Sequence, residues 1–173
     1  MPIEFLVDPP LTDDLLERVV ALWVEVTNAG GAVGFVAPVE AAAVRPVAEA
    51  AFAGVAEGLD RLLVAVDDGA VVGFLFVVDN RFRLKDHWRV LKRVMVTPSG
   101  QGKGYGAALM REAEALGRKA GLAGLSVTVR GGQGIEGFYL RLGYREVGRL
   151  PEALRVGPGD DRDEVYMWFD LTD

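Results

Sequence analysis

The sequence has no cysteine, which excludes disulfides, thiolate nucleophiles and thiolate metal sites. It has a single histidine, His87, so no multi-histidine centre can form, and a metal could sit only on carboxylates. A serine hydrolase is disfavoured as well: no G-x-S-x-G is present, and His87 would be its only imidazole base. Long apolar runs are missing. The run "AVVGFLFVV" suits a strand and falls far short of a membrane span. The N-terminus "MPIEFLVDPP" lacks a basic start and carries acids early, unlike a secretory signal. A soluble, cytoplasmic protein without a membrane partner is expected. Positive charge is also in deficit. The formal net charge of −6 argues against general nucleic-acid binding.

What is present fits one globular unit. The 173 residues suffice for one domain with a sizeable core, and no repeat, low-complexity stretch or linker divides them. A single domain over residues 1–173 is expected. "IEFLV" (3–7) reads as a strand. Thr12 can cap a helix whose apolar stripe is Leu16, Val19, Val20, Trp23 and Val26. A second helical stretch covers 38–57, with Pro46 expected to kink or divide it. "RLLVAVD" (61–67) and "AVVGFLFVVD" (70–79) form a hairpin across "DG". A strand at 88–97 follows, then a helix with its stripe on Tyr105, Leu109, Ala113, Leu116 and Ala120, stopped by Gly121. A strand at 125–129, a short helix at 135–143 and strands at 144–150 and 164–171 complete the chain, the last two separated by a polar loop, "PEALRVGPGDDRD". This order implies an α/β fold of the α+β type, with a mixed central sheet of about six to seven strands and helices on both faces.

The segment from Lys85 to Lys119 holds eight bases against three acids, a local +5 in an acidic chain. Inside it lies "TPSGQGKGYGAAL" (97–109). A strand that feeds a glycine-rich turn and then a helix can cradle phosphate, because first-turn N–H groups are unpaired and glycine lets an anion approach them. The nucleotide P-loop pattern fails, since no hydroxyl residue follows Lys103. The dinucleotide pattern G-x-G-x-x-G is met only in its alanine variant, with Gly102, Gly104 and Ala107, and it lies past mid-chain after a hairpin.

"VMVTPSGQGKGYGAALM" resembles the acetyl-CoA motif of the GNAT N-acetyltransferase superfamily. The strand end V-x-P is Val96 and Pro98, and Q/R-x-x-G-x-G/A is Gln101, Gly104 and Gly106. The resemblance continues through Val127 to Val129, Phe138 and Tyr139, and Leu142, Gly143 and Tyr144, so it covers about 88–150. It implies the GNAT fold, acetyl-CoA as co-substrate, no metal, and acetyl transfer to a primary amine. It also implies site residues. Val94, Met95 and Val96 would pair with the pantetheine arm. Gln101, Gly102, Lys103, Gly104, Tyr105 and Gly106 would hold the pyrophosphate. Tyr139 would be the general acid to the leaving thiolate. Plain alternatives stay open: Tyr139 as a core aromatic, Lys103 as a solvated turn residue, Val94–Val96 as a buried strand. One departure is visible. Many relatives carry an asparagine seven residues before the tyrosine, and here that position is Gly132, with Gln133 as a candidate replacement.

Glu25, Asp79, His87 and Glu136 are candidates for a general base. The segment "NAGGAVGFVAP", with Phe35 as a wall, and the loop before the last strand should meet the acceptor, where Asp160, Asp161 and Asp163 could attract a cation. A small-molecule amine is favoured as acceptor. A peptide or protein amine, or a non-catalytic CoA-binding module, are the alternatives. No nucleic-acid partner is expected, and the protein should be a monomer or homodimer.

Overall fold

A computed structural model describes residues 2–172. Among the described residues, seven strands and four α-helices run β1 (Glu4–Val7), α1 (Asp13–Asn28), α2 (Ala41–Ala56), β2 (Arg61–Asp67), β3 (Ala70–Val78), β4 (Trp88–Val96), α3 (Tyr105–Lys119), β5 (Gly124–Arg130), α4 (Ile135–Leu142), β6 (Arg145–Gly157) and β7 (Asp160–Asp170). The architecture is α/β with a seven-stranded mixed sheet, as expected from the order of elements. The chain divides into two compact units: the residues up to Asp79 with Leu91–Ala115, and Asn80–Val90 with the residues from Leu116 onward. No helix among the described residues is long and apolar enough to cross a membrane.

In the first unit the strands run β1-β2-β3-β4. The β2–β3 hairpin turns at Asp68 (φ 49°) and Gly69 (φ 76°), two left-handed residues in succession, as the twist of a tight hairpin requires. Leu62, Leu63, Val64 and Ala65 are all buried, as are Phe74 to Val77. A strand covered on both faces explains why these segments read as continuous apolar runs and not as alternation. Thr12 caps α1 through its Oγ1, which accepts from the Leu15 N–H at 3.1 Å. The α1 stripe buries Val19, Val20, Trp23 and Val26. Trp23, Phe74, Phe76 and Phe52 form a chain of tilted and edge-on ring contacts, with centroids 5.8–6.4 Å apart. Each such burial contributes roughly 2–3 kcal/mol. The helix expected to kink or divide at Pro46 is not divided: α2 runs unbroken from Ala41 to Ala56. The proline removes one backbone donor, but Val44, Ala48 and Phe52 anchor both sides of it in the core.

In the second unit the strands run β5-β7-β6, all antiparallel. Here the expected polar loop at 151–163 is corrected. Most of it is strand, and β6 and β7 form a long hairpin turning at Pro158 and Gly159 (φ 71°). Its outer half shows no apolar alternation because it has no buried face. The backbone ladder and cross-strand ion pairs hold it instead: Arg155 pairs with Asp161 at 2.7 Å and Arg149 with Asp163 at 2.8 Å. Register shifts and the left-handed Glu152 (φ 54°) mark bulges that further hide the strand pattern.

Candidate active site

The end of β4 and the turn into α3 are built for close approach. Val94 and Val96 are half-buried and Met95 is buried. Gly73 on β3 makes room for this stretch, since a Cβ there would lie 2.8 Å from the Met95 carbonyl oxygen. The Thr97 N–H donates to the Val72 carbonyl at 2.7 Å. A short 3-10 turn, Pro98–Gly100, follows. Within the turn the Gln101 N–H donates to the Pro98 carbonyl and the Lys103 N–H to the Gly100 carbonyl. Gly102 (φ 80°) and Gly104 (φ 82°) are left-handed, and a Cβ at either would meet nothing within 4 Å. The first helical bond joins the Ala108 N–H to the Gly104 carbonyl. The N–H groups of Gly102, Gly104, Tyr105, Gly106 and Ala107 therefore take no partner from the chain among the described residues.

Tyr105 pins this turn. Its hydroxyl donates to Asp67 Oδ2 at 2.6 Å, and Gly100 fits against its ring. The bond to Asp67 pushes the Tyr105 hydroxyl above its ordinary range. Lys103 is exposed, its Nζ 6.0 Å from the Tyr105 ring centroid. The result is a fixed bowl of unpaired N–H groups at the positive end of a fifteen-residue helix, open to solvent. Its chemistry suits a diphosphate. Open Cβ positions and unpaired donors are what the pyrophosphate of acetyl-CoA would need.

Tyr139 lies on α4, a helix bounded by left-handed Gly134 (φ 74°) and Gly143 (φ 101°). The ring is 4% exposed and sits edge-on to Phe138 and Tyr144. Burial alone, with no charged neighbour, pushes its hydroxyl well above the ordinary tyrosine value. Gly132 is left-handed (φ 87°), and Arg162 Nη1 lies 2.8 Å from where a Cβ would be. The side-chain space next to Gly132 is thus occupied by Arg162, a neighbour that nothing in the sequence suggested.

The four base candidates have different surroundings. Glu25 is exposed on α1, and its Oε1 accepts from Thr97 Oγ1 at 3.5 Å, at the end of β4. Asp79 is half-buried, and its N–H donates to Asp60 Oδ1. His87 is exposed beside Asp86. Glu136 is half-buried with one carboxylate oxygen buried and without a hydrogen bond. Asp160, Asp161 and Asp163 are each paired, with Arg162, Arg155 and Arg149, and these bonds hold their carboxyls below the usual range. Such pairing leaves little net charge to attract a cationic acceptor.

The segment after α1 is tied from several sides. Asn28 makes two bonds to the Val39 backbone, and Trp23 Nε1 donates to the Val33 carbonyl at 2.9 Å. Phe35 meets the Trp23 ring edge-on at 5.9 Å. Arg93, which sequence reasoning counted only as one base among eight, reaches this corner from β4. Its backbone is left-handed (φ 56°) inside the continuous strand, and its guanidinium lies 5.4 Å from the Trp23 ring centre. The adjacent charges Lys92 and Arg93 in the middle of a strand were the available signal. Strict alternation would send one of them into the core, so a bulge was implied.

A profile of the acetyltransferase (GNAT) domain family matches residues 58–146. No functionally curated protein matches the sequence. Among solved structures, a ribosomal-protein-alanine N-acetyltransferase from Brucella melitensis aligns at 20% identity and TM-score 0.76, over 98% of this chain and 99% of its own. A chimeric spermidine N-acetyltransferase from Vibrio cholerae aligns at 16% identity and TM-score 0.75, over 99% of this chain and 97% of its own. A protein from Salmonella typhimurium, solved with its cofactor acetyl-CoA, aligns at 19% identity and TM-score 0.75, over 98% and 93%. At these identities the structural likeness speaks for the fold.

Proposed function

The chain belongs to the GNAT family of acetyl-CoA-dependent N-acetyltransferases, and from that premise we propose that it acetylates the primary amine of a small molecule by direct attack. The observation that carries the donor half is the turn Gln101–Gly106: two left-handed glycines with open space and a row of unpaired N–H groups. Acetyl-CoA supplies an activated acetyl thioester. Gly102, Gly104, Tyr105 and Gly106 hold its diphosphate through backbone donors, while Gln101 and Lys103, whose own N–H groups close the turn onto Pro98 and Gly100, contribute through their side chains. Val94, Met95 and Val96 offer backbone groups to its extended arm. The whole chain, residues 1–173, serves as one acetyltransferase domain, working in the cytoplasm as a monomer or homodimer.

In the reaction the amine nitrogen bonds to the carbonyl carbon and the carbon–sulfur bond breaks. The nitrogen gives up a proton and the departing sulfur takes one, so no further reactant is needed. A free alkylamine has a pKa of roughly 10 and must be neutral to attack. Glu25 is the acid we place on this proton's route, because it lies beside Thr97 at the end of β4. Tyr139 is the donor to the sulfur. Its buried hydroxyl holds its proton tightly, so it acts by hydrogen-bonding the developing thiolate. The reading is tested by CoA thiol release from acetyl-CoA across a panel of small amines and short peptides. Release with small amines supports it. Release with peptides alone would move the acceptor to a protein terminus, and no release with any amine would leave a CoA-binding module.

A further inference from the structure

Arg93 is a half-buried cation of the first unit that pairs with no carboxylate among the described residues. It sits half-buried on a left-handed backbone within β4, a costly conformation for a residue with a side chain. Among the described residues, no carboxylate lies within ion-pair distance of it. Its one hydrogen bond to the chain is long, Nη1 to the Val33 carbonyl at 3.4 Å. The Trp23 ring covers one face of the guanidinium. Gly34 has no side chain where one would collide with it: a Cβ there would be 2.0 Å from Nη1. Burial without a partner destabilises the charged form, and the guanidinium pKa is lowered accordingly. A strut holding the Val33 turn would need only a short neutral bond, and Trp23 Nε1 already provides one at 2.9 Å. A half-buried charge whose internal partners are one long bond to a neutral carbonyl and a ring face, with no carboxylate, is what an external anion would use.

We propose that Arg93, with the Val33–Gly34 turn against it, receives the carboxylate of the acceptor, so that the amine acetylated belongs to an amino acid or a similar amino-carboxylate. This rests on the reading of the chain as a small-amine acetyltransferase. The chemistry selects a carboxylate over a phosphate. With Nη1 directed to Val33, the remaining edge of the planar fork matches one two-oxygen anion. The segment involved, "NAGGAVGFVAP", is the one that sequence reasoning assigned to the acceptor. The carboxylates expected to draw a cationic acceptor are all paired with arginines.

The test compares matched pairs that differ by one carboxylate: L-phenylalanine with phenethylamine, L-leucine with isoamylamine, L-lysine with cadaverine. Wild type should acetylate a carboxylate-bearing member with kcat/KM about 100-fold or more above its partner, since the other amine leaves the half-buried Arg93 without an anion. In Arg93→Gln that ratio should collapse, mainly through KM, with the affinity for CoA retained. Arg93→Lys should keep part of it, because the charge remains and the fork is lost. Equal or reversed preference in wild type, or a ratio unchanged in Arg93→Gln, overturns the proposal. If no amine is turned over, the small-amine reading fails first. Equilibrium dialysis of L-phenylalanine with the CoA-bound protein then decides for Arg93: binding lost in Arg93→Gln supports it, and absent or unchanged binding overturns it.

Discussion

Two glycine sites in the same compact unit use the residue for opposite reasons. At Gly102 and Gly104 a side chain would meet nothing, so the absence of Cβ leaves room on the outside for a ligand. At Gly34 a side chain would strike the Arg93 guanidinium, so the absence of Cβ leaves room on the inside for a neighbour. All three glycines are left-handed, and backbone angle alone does not tell them apart. What separates them is the company each keeps: unpaired helix N–H groups in one case, a half-buried cation with no carboxylate partner in the other. A glycine-rich segment therefore has to be read for what occupies the missing side chain's space.

The largest effect expected from this contrast is on stability. Gly34→Ala combines backbone strain with a collision and should cost roughly 2–4 kcal/mol, whereas Gly102→Ala meets only strain and should cost about 1 kcal/mol. Thermal melts of the two variants check this, and equal losses would erase the distinction. Next comes chemistry. Tyr139→Phe should lower turnover by about 100-fold with little change in CoA affinity, measured by steady-state kinetics and calorimetry. Because burial raises the Tyr139 pKa, its proton stays on up to and beyond the ordinary value of 10.0. The wild-type rate should then show no basic limb from this group below that pH; a limb there that Tyr139→Phe abolishes would show that burial does not raise the hydroxyl, while leaving its role as acid intact.

A smaller effect, about tenfold in turnover, is expected for Glu25→Gln, with the loss greatest at low pH where less of the amine is neutral. A rate indifferent to the change would return the proton to solvent. The smallest effects belong to the β6–β7 hairpin. Its aspartates have folded pKa values below the unfolded value of 3.8, so their pairing stabilises the fold above that pH and the contribution fades as pH falls through the lowered values. Asp163→Asn should barely move the melting temperature near neutrality, because exposed pairs contribute little, and should flatten the acid side of the stability curve. A large neutral-pH loss would show that the hairpin depends on this pair.

Much of this was legible beforehand because the relevant physics is local. The Thr12 cap, the "DG" turn, the apolar strands and the glycine turn each depend on residues near one another in sequence. The hairpin arm at 151–163 was not legible: cross-strand pairs such as Arg155–Asp161 stabilise it, and its composition matches that of a loop. Pro46 does not divide α2, because the core holds both of its flanks. Arg93 was hidden for a related reason, as its role depends on Trp23, Val33 and Gly34, which lie some sixty residues earlier in the chain. Tyr139 was picked out through the resemblance, and its burial came only with the fold.

The central claim is that the Gln101–Gly106 turn holds the acyl donor, and calorimetric titration of CoA into wild type, Gly104→Ala and Gly34→Ala tests it most directly. Wild type should bind. Gly104→Ala should remain folded yet bind about tenfold or more weakly, the equivalent of one displaced charge-assisted hydrogen bond. Gly34→Ala, although less stable, should keep its affinity for CoA. Equal affinity of wild type and Gly104→Ala would contradict the assignment of the turn.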